Sequence, residues 1–194
     1  MIQIGGLEPC SFSDYPGKTA AVFFTQGCNF RCPFCHNPEL LQSGRPGKID
    51  EGDCLSFLRD RRGLLDGVVI SGGEPCLQVD LPAFITRVRE LGYPVKLDTN
   101  GSRPEILARL LEMKLLNYIA MDIKAPLSRY DQLCGVAVDI SAIRASMTLI
   151  ARSGVAHHFR TTLYHELLTR RDINQITGLV PPGSEHITQP YVSF

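Results

Sequence analysis

Six short apolar runs, all rich in β-forming residues, alternate with amphipathic stretches along most of this chain of 194 residues. Such alternation is typical of parallel strands joined by right-handed helical crossovers. A closed eight-stranded barrel needs about 250 residues, which is more than this chain has. We therefore predict one α/β domain, a partial (β/α)6 barrel over residues 19–194, after an N-terminal segment of residues 1–18; a doubly wound open sheet is the alternative. The predicted strands are residues 19–26, 67–71, 94–99, 118–124, 156–163 and 186–192.

Helical patterns lie between these strands. Apolar residues at positions 81, 84, 85, 88 and 91 share one face of a helix that Gly92 ends. The stretch 102–105 has the form of a capping box and predicts the start of the next helix. Positions 143, 147, 150 and 151 predict another helix, and residues 169–172 predict the start of a last short one.

Polar residues of unusual type stand where the predicted strands end. In parallel α/β folds the carboxyl edge of the sheet is where active sites are built. Ordinary turn residues are the alternative. Turns would explain the glycines and the asparagine, but not Glu74, Asp122, Lys124 or Arg160. The residues are Cys28, GGEP at 72–75, DTNG at 98–101, DIK at 122–124, and Arg160.

Composition narrows the class of protein. Lysine plus arginine and aspartate plus glutamate number 20 each, so the net charge is zero and nothing indicates a nucleic-acid partner. No apolar run approaches the roughly 20 residues that span a bilayer, and the N-terminus lacks the pattern of a signal peptide. We therefore expect a cytoplasmic protein with no membrane partner. In that reducing compartment its seven cysteines predict a metal or catalytic site rather than disulfides.

Three cysteines, Cys28, Cys32 and Cys35, form a C-x3-C-x2-C pattern. Thiolates suit iron–sulfur clusters and zinc. Structural zinc takes four ligands, usually in two separated pairs, and this chain has no second pair. His36 is adjacent to Cys35 and poorly placed to bind the same ion. Three thiolates on an iron–sulfur cube leave one iron open, as a catalyst requires; zinc or a structural cluster is the alternative.

The cysteine pattern, with Phe34 before its last cysteine, resembles the signature of the radical S-adenosylmethionine (SAM) superfamily. The resemblance implies a [4Fe–4S] cluster on the three cysteines, S-adenosylmethionine on the fourth iron and a partial (β/α)6 barrel. Together with SGGEP, LDTNG and MDIKAP, the stretch SFSDYPGKTAAVFFTQGCNFRCPFCHNPEL is similar to the glycyl-radical-enzyme activases. The similarity is greatest to the activating proteins of anaerobic ribonucleoside-triphosphate reductase, which resemble pyruvate formate-lyase activating enzyme. It covers residues 11–192.

The same resemblance implies contacts with the methionine part of S-adenosylmethionine. Gly72, Gly73 and Glu74 would hold the amino group, for which a carboxylate is a suitable acceptor. Arg160 would hold the methionine carboxylate, because a guanidinium matches a carboxylate in geometry. A surface arginine on a strand is the alternative for Arg160. The resemblance also implies that Phe34 lies against the cofactor.

Four further residues follow from the resemblance. Asp98 would contact the ribose or a cation, and Asn100 in the same motif would contact the cofactor. Asp98 and Asp122 together would hold a monovalent cation, and Lys124 would contact S-adenosylmethionine. Asp122 and Lys124 are two residues apart and point to one face, so a structural ion pair without ligand is the alternative.

The activity that this resemblance implies is that of an oxidoreductase. A reduced cluster cleaves S-adenosylmethionine to methionine and a 5′-deoxyadenosyl radical, which takes a hydrogen atom from a glycine of a partner enzyme. That partner is most simply anaerobic ribonucleoside-triphosphate reductase, and the electron comes from a flavodoxin- or ferredoxin-type donor. Two alternatives remain: a radical SAM enzyme with a small-molecule or nucleoside substrate, and a non-catalytic iron–sulfur or zinc scaffold.

Overall fold

A computed structural model describes residues 1–42 and 46–192 of the chain, with seven strands and six α-helices in that part. The strands are β1 (Ile4–Tyr15), β2 (Lys18–Thr25), β3 (Gly67–Gly72), β4 (Val95–Thr99), β5 (Tyr118–Asp122), β6 (Ala156–Leu163) and β7 (Glu185–Pro190). The helices are α1 (Glu51–Asp60), α2 (Leu81–Glu90), α3 (Pro104–Glu112), α4 (Tyr130–Cys134), α5 (Ile140–Arg152) and α6 (Arg170–Thr177).

The strands form one sheet whose spatial order, β1 to β7, is the order of the sequence. The pairings from β2 through β7 are all parallel. These six strands are the predicted ones, so the α/β class and the six-stranded parallel core are confirmed. Among the residues described, no pairing joins β1 to β7, and the barrel is therefore open.

The first strand, β1, was not predicted. It lies in the segment 1–18 that we set apart, and it pairs antiparallel with β2 through a turn in which Gly17 has φ 71°. Its sequence contains two glycines and a proline and lacks a regular alternation, and the pairing has three register shifts. Glycine and proline are depleted in strands, so this composition weakens the strand signal in the sequence. The register shifts interrupt the regular pairing.

The two faces of the sheet differ in chemistry. The face under the helices is apolar and carries Phe23, Ile70 and Leu97 in one large core. On the opposite, inner face, Tyr15 and Val22 belong to a small apolar cluster. Side chains alternate between the faces of a strand, so polar residues of β4, β5 and β6 fall on the inner face above this cluster.

Helices begin at both predicted starts, but only one of them has a capping box. The stretch 169–172 does begin α6, and Thr169 and Asp172 exchange the two capping hydrogen bonds. The predicted helix also begins within 102–105, because α3 starts at Pro104, but the predicted capping box is wrong: Arg103 is the N-cap and its side chain makes no capping hydrogen bond. The reason is that Ser102 Oγ is engaged elsewhere, accepting a hydrogen bond of 2.9 Å from Asn29 Nδ2. Within the described ranges, no helix is both long and apolar enough to cross a membrane.

Candidate active site

A cavity of about 780 Å³, including the solvent at its mouth, lies at the carboxyl ends of the parallel strands. Nearly every predicted site residue lines it, so the strand-end residues do form one site. Glu74 is the exception, because it is fully buried behind the cavity wall. The predicted residues along the wall are Cys28, Cys32, Phe34, Cys35, Gly72, Gly73, Asp98, Asn100, Asp122, Lys124 and Arg160.

The cysteine loop leaves the end of β2 and is held by main-chain hydrogen bonds. Cys35 N donates to Cys32 O at 3.1 Å, which closes a turn between two of the cysteines. The Arg31 guanidinium donates to the carbonyls of Cys28 and Phe30, both at 2.7 Å. Arg31 therefore fixes the path of the loop from within, a role that the sequence motif does not reveal.

A fourth cysteine, Cys134 at the end of α4, adjoins this loop. Its carbonyl accepts the backbone N–H of Arg31 at 2.7 Å. Its thiol also donates a hydrogen bond to the Cys32 sulfur, which lowers the pKa of Cys32 to about 7 although desolvation opposes the shift. Cys134 is buried and lies 99 residues after Cys35 in the numbering, so only the fold brings it to the loop.

The two glycines after β3 pack directly on the start of the cysteine loop. Gly73 N donates to Thr25 O at 2.9 Å, and a Cβ at Gly73 would overlap the carbonyl of Gly27. Gly72 has φ 112°, and a Cβ there would overlap the Thr25 backbone. Only glycine allows two backbones to approach so closely. The GG pair thus sets the position of the cysteine loop while its own backbone lines the cavity.

Glu74 ties two loops together. Its Oε1 accepts hydrogen bonds from Thr99 Oγ1 at 2.7 Å and from Cys76 N at 3.0 Å, and its Oε2 accepts from Asn100 N at 2.6 Å. Burial raises the pKa of the Glu74 carboxyl, and these hydrogen bonds oppose the rise. The predicted contact between Glu74 and a ligand amino group stays untested, but the carboxylate is occupied by the protein.

Asn100 is placed between the loops and the cysteines. Its Nδ2 donates to Asn29 Oδ1 at 3.0 Å and lies 4.0 Å from the Cys28 sulfur. Its Oδ1 accepts the backbone N–H of Ser102 at 2.9 Å. Asn100 lines the cavity and is 5% exposed. The Asn100 side chain therefore connects Asn29 and Ser102 beside the Cys28 sulfur.

Charged side chains from three strand ends meet on the inner face of the sheet. Asp122 at the end of β5 accepts from Arg160 Nε at 2.7 Å and from Lys124 Nζ at 2.9 Å. Asp98 on β4 accepts from Arg160 NH2 at 3.4 Å. Desolvation raises the pKa of Asp122, but the two cations outweigh it and hold that pKa below its ordinary value. Asp122 and Lys124 form the expected pair, although β5 ends at Asp122 and Lys124 lies beyond it.

Two aromatic rings of the cavity wall, those of Phe34 and His36, pack against tyrosines behind it. The Phe34 ring, 3% exposed, lies 5.8 Å from the Tyr164 ring, and the His36 ring stacks on Tyr191 at 5.2 Å. Tyr191 also contacts Tyr164 edge-on at 4.9 Å. Because Tyr164 follows β6 and Tyr191 follows β7, these rings connect the cysteine loop to the last two strands.

The site residues and the fold agree with one known family. The radical SAM superfamily profile matches residues 22–178. The chain belongs to the radical SAM superfamily. Membership implies a [4Fe–4S] cluster and S-adenosylmethionine, as predicted from the cysteine pattern.

Two relatives within the superfamily are named as activating enzymes. A Methanocaldococcus jannaschii protein named as a glycyl-radical enzyme activating enzyme is 35% identical over 184 residues, 91% of this chain and 75% of that protein. The pyruvate formate-lyase-activating enzyme of Listeria monocytogenes is 33% identical over 132 residues, 63% of this chain and 53% of that enzyme. The chain thus spans about half the length of the second relative. The predicted resemblance to activating enzymes is confirmed.

A solved structure shows the same fold. Streptococcus suis SuiB bound to S-adenosylmethionine superposes with a TM-score of 0.67 at 17% identity, over 89% of this chain and 40% of that one. The predicted radical SAM partial barrel is confirmed by this likeness together with the parallel sheet.

The radical SAM cluster fits the cysteine loop. All three cysteines line one cavity. Over residues 1–42 and 46–192, no three His, Cys, Asp or Glu side chains converge on a point where a single metal ion would bind. Three thiolates on one cavity wall suit a cube, whose thiolate ligands bind different irons and need not converge on one point. Burial raises the pKa of the Cys28 thiol to about 11, so cluster binding must release a proton there.

Several wall residues of this radical SAM site were missed by the sequence analysis. Strand periodicity was the available signal for two of them, because Ser71 and Thr162 stand at the ends of β3 and β6 and side chains alternate between faces. The same signal applies to Gln189, which stands opposite Thr162 on β7 and donates from Nε2 to Thr162 Oγ1 at 3.1 Å. All three line the cavity.

Proposed function

We propose that this protein is a glycyl-radical-enzyme activating enzyme and that its partner is an anaerobic ribonucleoside-triphosphate reductase. The observation that carries the proposal is the single cavity in which three cysteines, a glycine pair and a basic pair meet, in a chain whose relatives are activating enzymes. The resemblance of MDIKAP and the cysteine stretch to reductase activators supports the choice of partner.

In this proposal Cys28, Cys32 and Cys35 hold the [4Fe–4S] cluster. When bound and reduced, the cluster supplies the electron that splits S-adenosylmethionine into methionine and a 5′-deoxyadenosyl radical, which takes hydrogen from a glycine of the partner. Arg31 and the Gly72–Gly73 backbone keep the loop in place. Phe34 excludes water beside the cysteines, because its ring is buried in the cavity wall.

The methionine part of S-adenosylmethionine meets two groups of the chain. We assign its amino group to the backbone of Gly72 and Gly73, since Glu74 is already bonded to its neighbours. We assign its carboxylate to Arg160, whose Nε and NH2 face Asp122 and Asp98 and whose NH1 is the remaining nitrogen. Lys124 and Asn100 contact the cofactor from the sides.

The reductant and the compartment belong to the same proposal. A cysteine-ligated cluster can work at low potential, and a flavodoxin- or ferredoxin-type protein is a suitable donor. A cluster of this kind, with free thiols nearby, fits the reducing cytoplasm.

The test is anaerobic. The reconstituted enzyme is reduced by a low-potential reductant in the presence of S-adenosylmethionine and mixed in turn with a candidate reductase, with that reductase carrying alanine at its radical glycine, and with a pyruvate formate-lyase. We expect 5′-deoxyadenosine to form, and a glycyl radical to appear by electron paramagnetic resonance with the unaltered reductase alone. Cys35→Ser should abolish both signals, whereas Cys10→Ser, at an exposed cysteine, should keep them.

Three outcomes would count against the proposal. A glycyl radical that forms on the pyruvate formate-lyase alone would show that the partner is such a lyase and not the reductase. Cleavage without any glycyl radical would favour a small-molecule or nucleoside substrate. No cleavage by a fully loaded, reduced cluster would leave the scaffold interpretation.

A further inference from the structure

The two acidic residues of the inner face are fully paired with the protein's own side chains. Lys96 Nζ donates to Asp98 Oδ1, and Arg160 NH2 and Ser71 Oγ each lie 3.4 Å from Asp98 Oδ2. Arg160 Nε and Lys124 Nζ donate to the two oxygens of Asp122. All four carboxylate oxygens therefore have a donor. This is the pair for which the sequence predicts a monovalent cation.

Lys96 is the member of this group that the sequence analysis did not consider. It stands two residues before Asp98 on β4, so both side chains project from the same face. Its side chain is 1% exposed and its partner's is 7% exposed. Asp98 lines the cavity, whereas Lys96 does not. The Lys96 side chain is thus almost fully buried behind Asp98, at the floor of the site.

The balance of charge disfavours a further cation. Lys96, Arg160 and Lys124 carry three positive charges against two negative ones, so the group has a net charge of +1. A metal ion would raise this to +2 in a buried place, where uncompensated charge is costly. S-adenosylmethionine adds a sulfonium and an ammonium and only one carboxylate. Each oxygen of the two carboxylates already has a donor from the protein, so this acidic pair needs no metal ion to compensate it.

We propose that the buried Lys96 ammonium is the resident cation of this site, and that it makes binding of S-adenosylmethionine independent of any monovalent metal ion. Lys96 is a positioning residue, since it acts on the cofactor through Asp98 and through the Arg160 that Asp98 holds. The proposal rests on S-adenosylmethionine binding in this cavity, but not on the identity of the partner enzyme.

The first test uses the unaltered enzyme with its oxidised cluster. The dissociation constant of S-adenosylmethionine is measured by equilibrium dialysis in potassium acetate and in tetramethylammonium acetate of equal ionic strength. Dithionite is left out because it is commonly supplied as the sodium salt. We expect the two constants to agree within about twofold. A loss of affinity of about tenfold in tetramethylammonium, restored by potassium, would overturn the proposal.

Two variants separate the charge of Lys96 from its volume. Lys96→Ala removes the charge and leaves room for an ion, whereas Lys96→Met removes the charge and keeps the volume. Both should weaken binding about tenfold in tetramethylammonium. Potassium should restore the alanine variant and leave the methionine variant weak. Lys48→Ala, at an exposed lysine, is the matched control and should behave as the unaltered enzyme.

A direct binding measurement completes the test without S-adenosylmethionine or a partner. Radioactive rubidium, an analogue of potassium, is dialysed against each protein after circular dichroism and iron content have shown it to be folded and loaded. We expect stoichiometric binding by Lys96→Ala and none by the unaltered enzyme. Stoichiometric binding by the unaltered enzyme contradicts the proposal. A failure to form a glycyl radical would overturn the proposed function and leave this result standing.

Discussion

The backbone N–H of Asn100 donates to Glu74 Oε2 at 2.6 Å, across 26 residues of sequence. The loop after β3 is thereby joined to the loop after β4. Glu74 Oε1 strengthens the junction by accepting from Thr99. A glutamate that a motif associates with ligand binding is, in this fold, the internal brace of the site.

Replacing this brace by an amide should destabilise the protein. In Glu74→Gln, one amide nitrogen would face the N–H of Asn100 or the donors at Oε1, leaving a buried donor without an acceptor. We expect a loss of about 1–3 kcal/mol in the free energy of unfolding, measured by urea unfolding of the loaded enzyme under anaerobic conditions. Glu105→Gln, an exposed glutamate on α3, is the control. Equal midpoints for the two variants would contradict the bracing role.

Arg160 should be irreplaceable by lysine. A lysine keeps the charge but cannot engage Asp98, Asp122 and a ligand carboxylate with one planar group. We expect Arg160→Lys to weaken S-adenosylmethionine binding by about tenfold or more, measured by equilibrium dialysis. Arg144→Lys, at an exposed position on α5, should have no effect. Unchanged affinity in Arg160→Lys would remove Arg160 from the cofactor site.

Gly73 should not tolerate a methyl group. Because a Cβ at Gly73 would overlap the carbonyl of Gly27, Gly73→Ala must displace the start of the cysteine loop. We expect reduced iron and sulfide content per chain and a destabilisation of about 1–3 kcal/mol. The control is Gly178→Ala, where φ is −69° and the nearest atoms lie at ordinary distance. Full cluster content in the Gly73 variant would show that the contact can relax.

Because of His158, the protein should lose stability in mild acid. Desolvation, assisted by Lys96 and Arg160, lowers its pKa to about 4, although Asp98 and Asp122 oppose the shift. The unfolded chain has the ordinary histidine pKa of about 6.5 and binds the proton first. The contribution of His158 to the free energy of unfolding should therefore be fully present above about pH 6.5. It should be lost as the pH decreases toward about 4.

The check is the urea midpoint of the loaded enzyme at several pH values between about 7.5 and 5. His158→Gln should flatten the dependence while keeping a hydrogen-bonding group beside Tyr118, whose hydroxyl lies 3.0 Å from His158 Nδ1. His165→Gln, at an exposed histidine, should retain the slope of the unaltered enzyme. Parallel curves for all three proteins would exclude His158 as the source.

The parallel core was predictable because buried strands leave continuous apolar runs. Residues 67–71 were predicted as a strand, and β3 spans Gly67–Gly72. The positions of the cysteines, the glycine pair and Arg160 at strand ends likewise predicted that they lie at one edge of the sheet, where they line one cavity. β1 was not predictable in the same way, since its polar and glycine-rich sequence becomes a strand only when β2 offers an edge.

The direction of side chains in loops was harder to predict than their location. Glu74 lies in the expected loop, yet it points into the protein, because three buried donors converge there. Loops have no periodicity from which such an orientation follows. Lys96 was different: its spacing of two from Asp98 on a strand was sufficient to place both on one face. A buried lysine there needed an acidic partner, and Asp98 supplies it.

The open sheet has a mechanical consequence for the site. Since no main-chain hydrogen bonds join β1 to β7 in the part of the chain described, a change in curvature of the sheet would break none at that seam. At the amino ends of the strands, side chains bridge the inner face instead, where Tyr15 lies against Tyr118 with ring centres 5.9 Å apart. This bridged end lies opposite the cavity, so a bulky loop that enters at the carboxyl ends meets a seam that no strand pairing of the described residues closes.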